Sequence, residues 1–247
     1  MDKTKITVAT IGHMPAEFAK QKITSWNSNV FYVEGEIESY SLTEDSDGYD
    51  WEFTDTLLEK ILPDNFAGNF LIAIVNVPIE SNWYSRRLSN NCVVFTFHEI
   101  KEILSHFNIP LENVIYRLLY AYTLLYKRSG ERIPLNDEPT NFTHDETRGC
   151  LFDMNGIKTD VAYSCHEPII CTDCIERLKR EKVSNEVISK VQKEIKRIKK
   201  PLFYRIAAFI KKHPIWSLVI SAASAIILGA IGSFIATLVF EATKNAI

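Results

Sequence analysis

The sequence predicts an α/β (α+β) domain, a mixed central sheet with flanking helices, followed by a basic helical linker and one transmembrane helix. Three observations predict it. Short apolar runs of strand character alternate with stretches of helical periodicity in the front of the chain. Lys and Arg crowd residues 193–212. Residues 215–240, IWSLVISAASAIILGAIGSFIATLVF, contain no Asp, Glu, Lys, Arg, His, Asn, Gln or Pro. At about 1.5 Å per residue, a helix of that length crosses a hydrocarbon core of about 30 Å with some tilt. The expected boundaries are a domain over 1–180, a basic juxtamembrane linker over 181–213, the span over 215–240 and a short tail over 241–247.

The elements follow in order. Residues 5–12, KITVATIG, read as a strand ending at a glycine, and residues 15–26 have helical spacing through Phe18, Ile23 and Trp26. Residues 31–42, FYVEGEIESYSL, alternate apolar and polar as a half-buried strand does. TEDSDGYD is an acidic turn-rich loop. It lacks the oxygen spacing of an EF-hand and reads as solvated. Residues 51–62 look helical. Residues 69–79 and 92–97 are continuous apolar runs, hence buried strands. Helices are expected over 98–107 and 111–127, parted by Pro110, which a helix interior does not tolerate without cost. The second presents a wide apolar face through Val114, Leu118, Leu119, Tyr122 and Leu125. Residues 128–147 are polar, with two prolines, and read as a long loop.

The formal net charge is -3, and the basic residues sit near the span, so the front of the chain is acidic. That argues against a nucleic-acid surface. The start, MDKTKITVATIGHM, is not a signal peptide, so insertion is expected to depend on the C-terminal span. Basic residues precede that span and few follow it. The N-terminal domain is therefore expected on the cytoplasmic side of a single-pass protein, with the basic cluster against anionic headgroups. Leu202, Phe203, Ile206, Phe209 and Ile210 share one helical face between Pro201 and Pro214, which suits a helix lying in the interface or a solvated basic linker. Within the span, Ser217, Ser221, Ala225, Gly229, Ser233 and Thr237 recur every four residues. Ser221, Ala225, Gly229 and Ser233 are the expected packing face of a homo-oligomer, since small residues let helix backbones approach. A stripe of hydroxyls could also line a pore.

Five cysteines stand at 92, 150, 165, 171 and 174. An odd number in a chain expected to face the cytosol favours metal or free thiols over disulfides. Cys171 and Cys174 form a C-x-x-C opening a helix, and Cys150 is a natural third ligand for a structural zinc. His144, Asp145, Cys165 and His166 are candidates for the fourth position. Two further groups offer chemistry. In HEIKEILSH, one helical face would carry His98, Glu102 and His106, with Glu99 as a base for a metalloenzyme. Arg86 and Arg87, beside aromatics in NWYSRRL, could grip an anionic ligand, or pair with local acids.

The segment from THDETRGCLFD to ICTDC resembles the archaemetzincins, zinc metallopeptidases with H-E-x-x-H-x-x-G-x-x-H-C on a helix, then x4-C-x-M, and later C-x-x-C. His144 and Cys150 keep the H-C-x4-C spacing, with Asp145 where the family has cysteine and Phe152 where it has methionine. Cys171 and Cys174 match the late pair. The resemblance implies a catalytic zinc and a second, structural one held by cysteines. Counting back from His144 puts Pro134, Leu135 and Glu138 at the catalytic positions, and no H-E-x-x-H occurs in the chain. The expectation is therefore a degenerate, non-catalytic sensing or binding domain on a membrane anchor, with an unidentified cytosolic ligand or partner. Such an architecture suits a bacterial defence or stress effector acting through oligomerisation. The alternatives are a membrane-tethered metallopeptidase and a simple anchored scaffold.

Overall fold

The computed structural model describes residues 2–140, 147–153 and 157–244. They form two compact units, Met1–Lys200 and Pro201–Ile247. In the first, strands β1 (Thr4–Ile11), β2 (Phe31–Val33), β3 (Glu38–Tyr40), β4 (Phe70–Val75), β5 (Ser85–Leu88) and β6 (Cys92–Thr96) make one mixed sheet. Its order is β2-β1-β4-β6-β5, with β3 also paired to β1. All pairs are parallel except β5–β6. This is the mixed sheet with flanking helices that the sequence predicts.

β4 explains why the sheet carries a core on each face. All six of its residues, FLIAIV, are buried. Successive side chains leave a strand on opposite faces. Phe70, Ile72 and Ile74 join one cluster with Ile6, Val8, Phe95 and helix α4 (Glu112–Arg128). Leu71, Ala73 and Val75 join the other, with Ala9, Ile11 and Leu57 and Leu58 of helix α2 (Asp55–Ile61). The first cluster also takes Ile23 from helix α1 (Lys20–Thr24) and Leu104 from helix α3 (Ile100–His106). α4 is the central element, with every residue from Glu112 to Tyr126 buried.

Several elements differ from expectation for visible reasons. The helix expected over 15–26 is only Lys20–Thr24. The Ala19 amide just before it donates to the buried carboxylate of Glu112 at 2.9 Å, which fixes where the helix starts. The strand expected over 31–42 is split at Gly35, whose φ is +65°, a conformation that side-chain-bearing residues rarely adopt. The arginine segment forms β5, closing a hairpin onto β6 through Asn90 and Asn91, both at positive φ. α2 opens at Thr54, whose Oγ1 accepts from the Leu57 amide at 3.2 Å and donates to Asp47 Oδ2 at 2.7 Å. Thr54→Ala is expected to cost about 1 kcal/mol, read as a melting temperature lower by about 2–4 °C. It should also loosen the acidic loop, which would then keep only the bond from the residue-54 amide to Asp47 Oδ1, 3.0 Å long in the wild type.

The first unit runs past the expected boundary at 180, to Lys200. Helices α5 (Val161–Ser164), α6 (Thr172–Arg180) and α7 (Asn185–Glu194) belong to it. The residues read as basic linker hide an amphipathic helix. Val187, Ile188, Val191, Ile195 and Ile198 are buried in the first cluster while lysines cover the outer face.

The second unit holds helices α8 (Leu202–Lys212) and α9 (Pro214–Lys244). Residues Pro214–Glu241 of α9 have a mean hydropathy of 2.3, long and apolar enough to cross a membrane. Ser221, Ala225, Gly229 and Ser233 are exposed on it. Along the same helix, Ser217, Ser224 and Thr237 bond the carbonyls of His213, Ile220 and Ser233, at 2.8–3.0 Å, so these hydroxyls are satisfied without water.

Candidate metal centre

The cysteine segment is built by short backbone contacts rather than by the main sheet. Cys150 and Ile169 form an isolated parallel bridge, in which the Leu151 amide donates to Ile169 O at 2.7 Å and the Ile169 amide to Gly149 O at 3.0 Å. Gly149 takes φ +86°, and an added Cβ there would meet the Tyr163 carbonyl oxygen at 3.4 Å. The bridge delivers the chain to Cys171, the N-cap of α6, and one helical turn places Cys174 beside it.

The ligand atoms of Cys150, Cys171 and Cys174 all lie within 4.8 Å of one another. Cys150 Sγ and Cys174 Sγ are 3.9 Å apart, and the Cys171 amide points at Cys150 Sγ at 3.5 Å. A disulfide would need about 2.05 Å. Two thiolates on one tetrahedral zinc, each about 2.3 Å from the ion, stand about 3.8 Å apart. The donor set and its spacing therefore fit zinc. The amino end of α6 adds a favourable field for negative sulfur. The hydrogen bond with Cys150, then burial, pushes Cys174 far above the usual cysteine range.

The other candidates fall differently. Cys165 is fully buried but stands outside this group. Burial pushes its thiol up to about 12, and the fully buried Arg117 is its charged neighbour. His166 accepts a hydrogen bond from the Lys200 amide at its Nδ1, at 3.3 Å. His144 and Asp145 lie outside the described residues. Beside the cysteines, a cleft of about 1050 Å³ is bounded by Ile169, Cys171, Lys193, Lys196 and Lys199. Glu167 pairs with Lys199 there at 3.2 Å.

The HEIKEILSH frame does not assemble. α3 begins only at Ile100, because Glu99 sits at φ +61°, in the left-handed region. His98 therefore precedes the helix and leaves the face of Glu102 and His106. Glu99 is bound to Lys158 at 2.7 Å. The frame counted back from His144 fails too, since 134–138 is a turn in which Glu138 bonds Arg132 at 2.7 Å.

Arg86 is engaged by Asp55, its Nε donating to both carboxylate oxygens at 2.9 and 3.0 Å. That hydrogen bonding raises its pKa further. Arg87 donates its amide to Asn136 Oδ1 at 3.0 Å, while its Nη1 is buried without a hydrogen-bond partner. The hollow they border, about 460 Å³, also carries Asp55, Glu59 and Asp137, so it offers an anion no net positive field.

No family model matches the chain, and no curated protein matches it. Among solved structures it is similar to the crystal structure of archaemetzincin from Methanopyrus kandleri, at 12% identity and a TM-score of 0.45. The match covers 72% of this chain and 95% of that one.

Proposed function

We propose that the chain is a membrane-anchored, non-catalytic relative of the archaemetzincins, a binding domain with a structural zinc carried to the bilayer by α9. The observation that supports it most is α4. The family motif H-E-x-x-H-x-x-G-x-x-H-C sits on a helix, and α4 carries no histidine or cysteine to meet it; laid on α4 from position 116, the motif falls on other residues. Tyr116, Tyr120 and Tyr126 take the three histidine positions, Arg117 takes the glutamate, Thr123 the glycine and Lys127 the cysteine. A hydrolytic zinc site needs nitrogen or carboxylate ligands, a base and an open position. This register supplies phenols and a guanidinium instead.

The phenols are occupied with holding the fold. Tyr116 OH donates to Lys22 O at 3.0 Å, and its ring stacks on Trp26 at 3.9 Å. Tyr120 OH donates to Glu194 Oε2 at 2.8 Å and accepts from Trp26 Nε1 at 3.1 Å. Burial pushes the Tyr120 hydroxyl up to about 12, so it is no anionic ligand at neutral pH. Arg117 is fully buried, donates to the Asp153 carbonyl, and leaves Nε and Nη1 without partners.

Cys150, Cys171 and Cys174 would hold the zinc, which supplies no chemistry here beyond cross-linking the 147–153 segment to α6. On this reading α9 crosses the bilayer with the first unit on the cytoplasmic side, and its small-residue face associates copies. The sensing and defence part of the proposal rests on that architecture alone.

The test uses the full chain in detergent micelles, with zinc counted by mass spectrometry and peptide hydrolysis assayed in parallel. One zinc per chain and no turnover are expected. A second metal accompanied by hydrolysis would replace this reading with a membrane-tethered metallopeptidase.

A further inference from the structure

Large apolar side chains of α8 stand open. Leu202, Phe203, Ile206, Phe209 and Ile210 are all exposed, from 44% for Phe209 to 73% for Phe203. At about 100° per residue they fall within one arc of about 120°, centred on Ile206. Arg205 and Lys212 adjoin its Phe209 border, while Tyr204 and Lys211 take the opposite side. The helix is therefore apolar on one face and basic on the rest, with no acidic residue along its length.

The end of α8 frees its direction. His213 leaves helical geometry, at φ -133° and ψ +64°. The ring of Pro214 crowds the α region of the residue before it, so the break is written into the sequence. α9 then starts afresh at Pro214, a residue suited to the first turn of a helix. Helices parted in this way need not share an axis. One can lie along a surface while the next crosses it.

We propose that α8 lies in the headgroup boundary of an anionic phospholipid leaflet, its Ile206 face toward the acyl chains and its bases toward the phosphates. This rests on the proposed crossing of the bilayer by α9. Two observations choose lipid over a groove on another protein. The face is one residue away from α9, so insertion of α9 brings it to the surface without a separate encounter. The basic arc complements anionic headgroups, and Arg205 and Lys212, at its border, can lay their stems on the apolar face with their charges in the headgroups.

The test is hydroxyl-radical footprinting, read by mass spectrometry, of the full chain in nanodiscs holding one copy each. The lipid is phosphatidylcholine with about one-third phosphatidylglycerol. Trp51, 81% exposed, is the internal reference for a ring in water. After correction for intrinsic reactivity, Phe203 and Phe209 should label at least about tenfold less than Trp51, the ratio of docked to free helix. In phosphatidylcholine alone, where the bases gain less, both should label more. Ile206→Asp puts a charge at the centre of the face and should bring both rings toward the Trp51 level. Phe203 and Phe209 labelled like Trp51, with Phe234 of α9 still protected, would overturn this inference and leave the anchor standing. Labelling of Phe234 as well would overturn the crossing and this inference with it. Protection that is equal in the two lipids, or that survives Ile206→Asp, would point to a protein cover and also overturn it.

Discussion

Cys174→Ser in the full chain is expected to abolish zinc binding and to lower the melting temperature by about 10 °C. The ion would tie two pieces whose core residues, Leu151 and Phe152 on one side and Cys174 and Leu178 on the other, share one cluster. The 147–153 segment reaches α6 through one isolated bridge and the packed sulfurs. A serine oxygen is a poorer partner for zinc than a thiolate, and two remaining cysteines do not close a tetrahedral site. Structural zinc provides about 10–16 kcal/mol of apparent binding energy in peptides that have no other core. Here the sheet keeps its own core, so a smaller loss, about 3–4 kcal/mol, is expected for a unit of this size. Chelation of the wild type should reproduce the shift, and chelation of Cys174→Ser should do nothing more. A variant that keeps its melting temperature would mean that the sulfurs are only packed thiols.

Glu194→Ala is expected to cost about 3–5 kcal/mol, read as a melting temperature lower by about 10 °C or more. Glu194 is nearly buried, and its carboxylate accepts four hydrogen bonds: from Ser28 Oγ at 2.6 Å, the Asn29 amide at 2.8 Å, Asn29 Nδ2 at 2.7 Å and Tyr120 OH at 2.8 Å. Alanine would leave those buried donors unmade. Burial alone pushes the Glu194 carboxyl up, but the bonds from Ser28, Asn29 and Tyr120 overcome it and hold the value below the usual glutamate range. A depressed folded-state pKa gives a stabilisation that is complete above about pH 4.3, the unfolded value, and lost as pH falls through the folded one. Wild type should therefore lose stability on acidification below that point faster than Glu194→Gln. Parallel acid-unfolding curves for the two would sink this account.

What was legible in the sequence is what local pattern controls. FLIAIV and CVVFT are continuous apolar runs, and both are buried strands. The C-x-x-C and Cys150 meet because a bridge and one helical turn suffice to place them. The failures have long-range or single-residue causes. β5 carries two arginines, a poor strand signal until Asp55 and Asn136 are seen beside them, and of the two roles open to Arg86 it is the pairing with a local acid that the fold shows. One left-handed residue, Glu99, removes His98 from the helix its spacing implied. The first unit runs past 180 because the buried valines and isoleucines of α7 are spaced for one inner face, a signal masked by the run of lysines and arginines from 190 to 200. Glu194 gave no signal, since its partners at 28, 29 and 120 are far away in the chain.

The Glu194 cage also has a mechanical meaning. The chain leaves the first unit at Lys200, so a pull transmitted from Pro201 enters the fold at its last turn. There Ile198 is sunk in the core, Arg197 lies over Trp26 at 4.6 Å, and Glu194 is clasped by the Ser28–Asn29 loop and by α4. Load is thus handed from the tether straight to the central helix and the loop feeding β2, and through the Ile198 carbonyl and the Lys200 amide to Glu167 and His166 just ahead of the cysteine segment. A pull on the tether is therefore shared between the Glu194 cage and the chain that leads into Cys171.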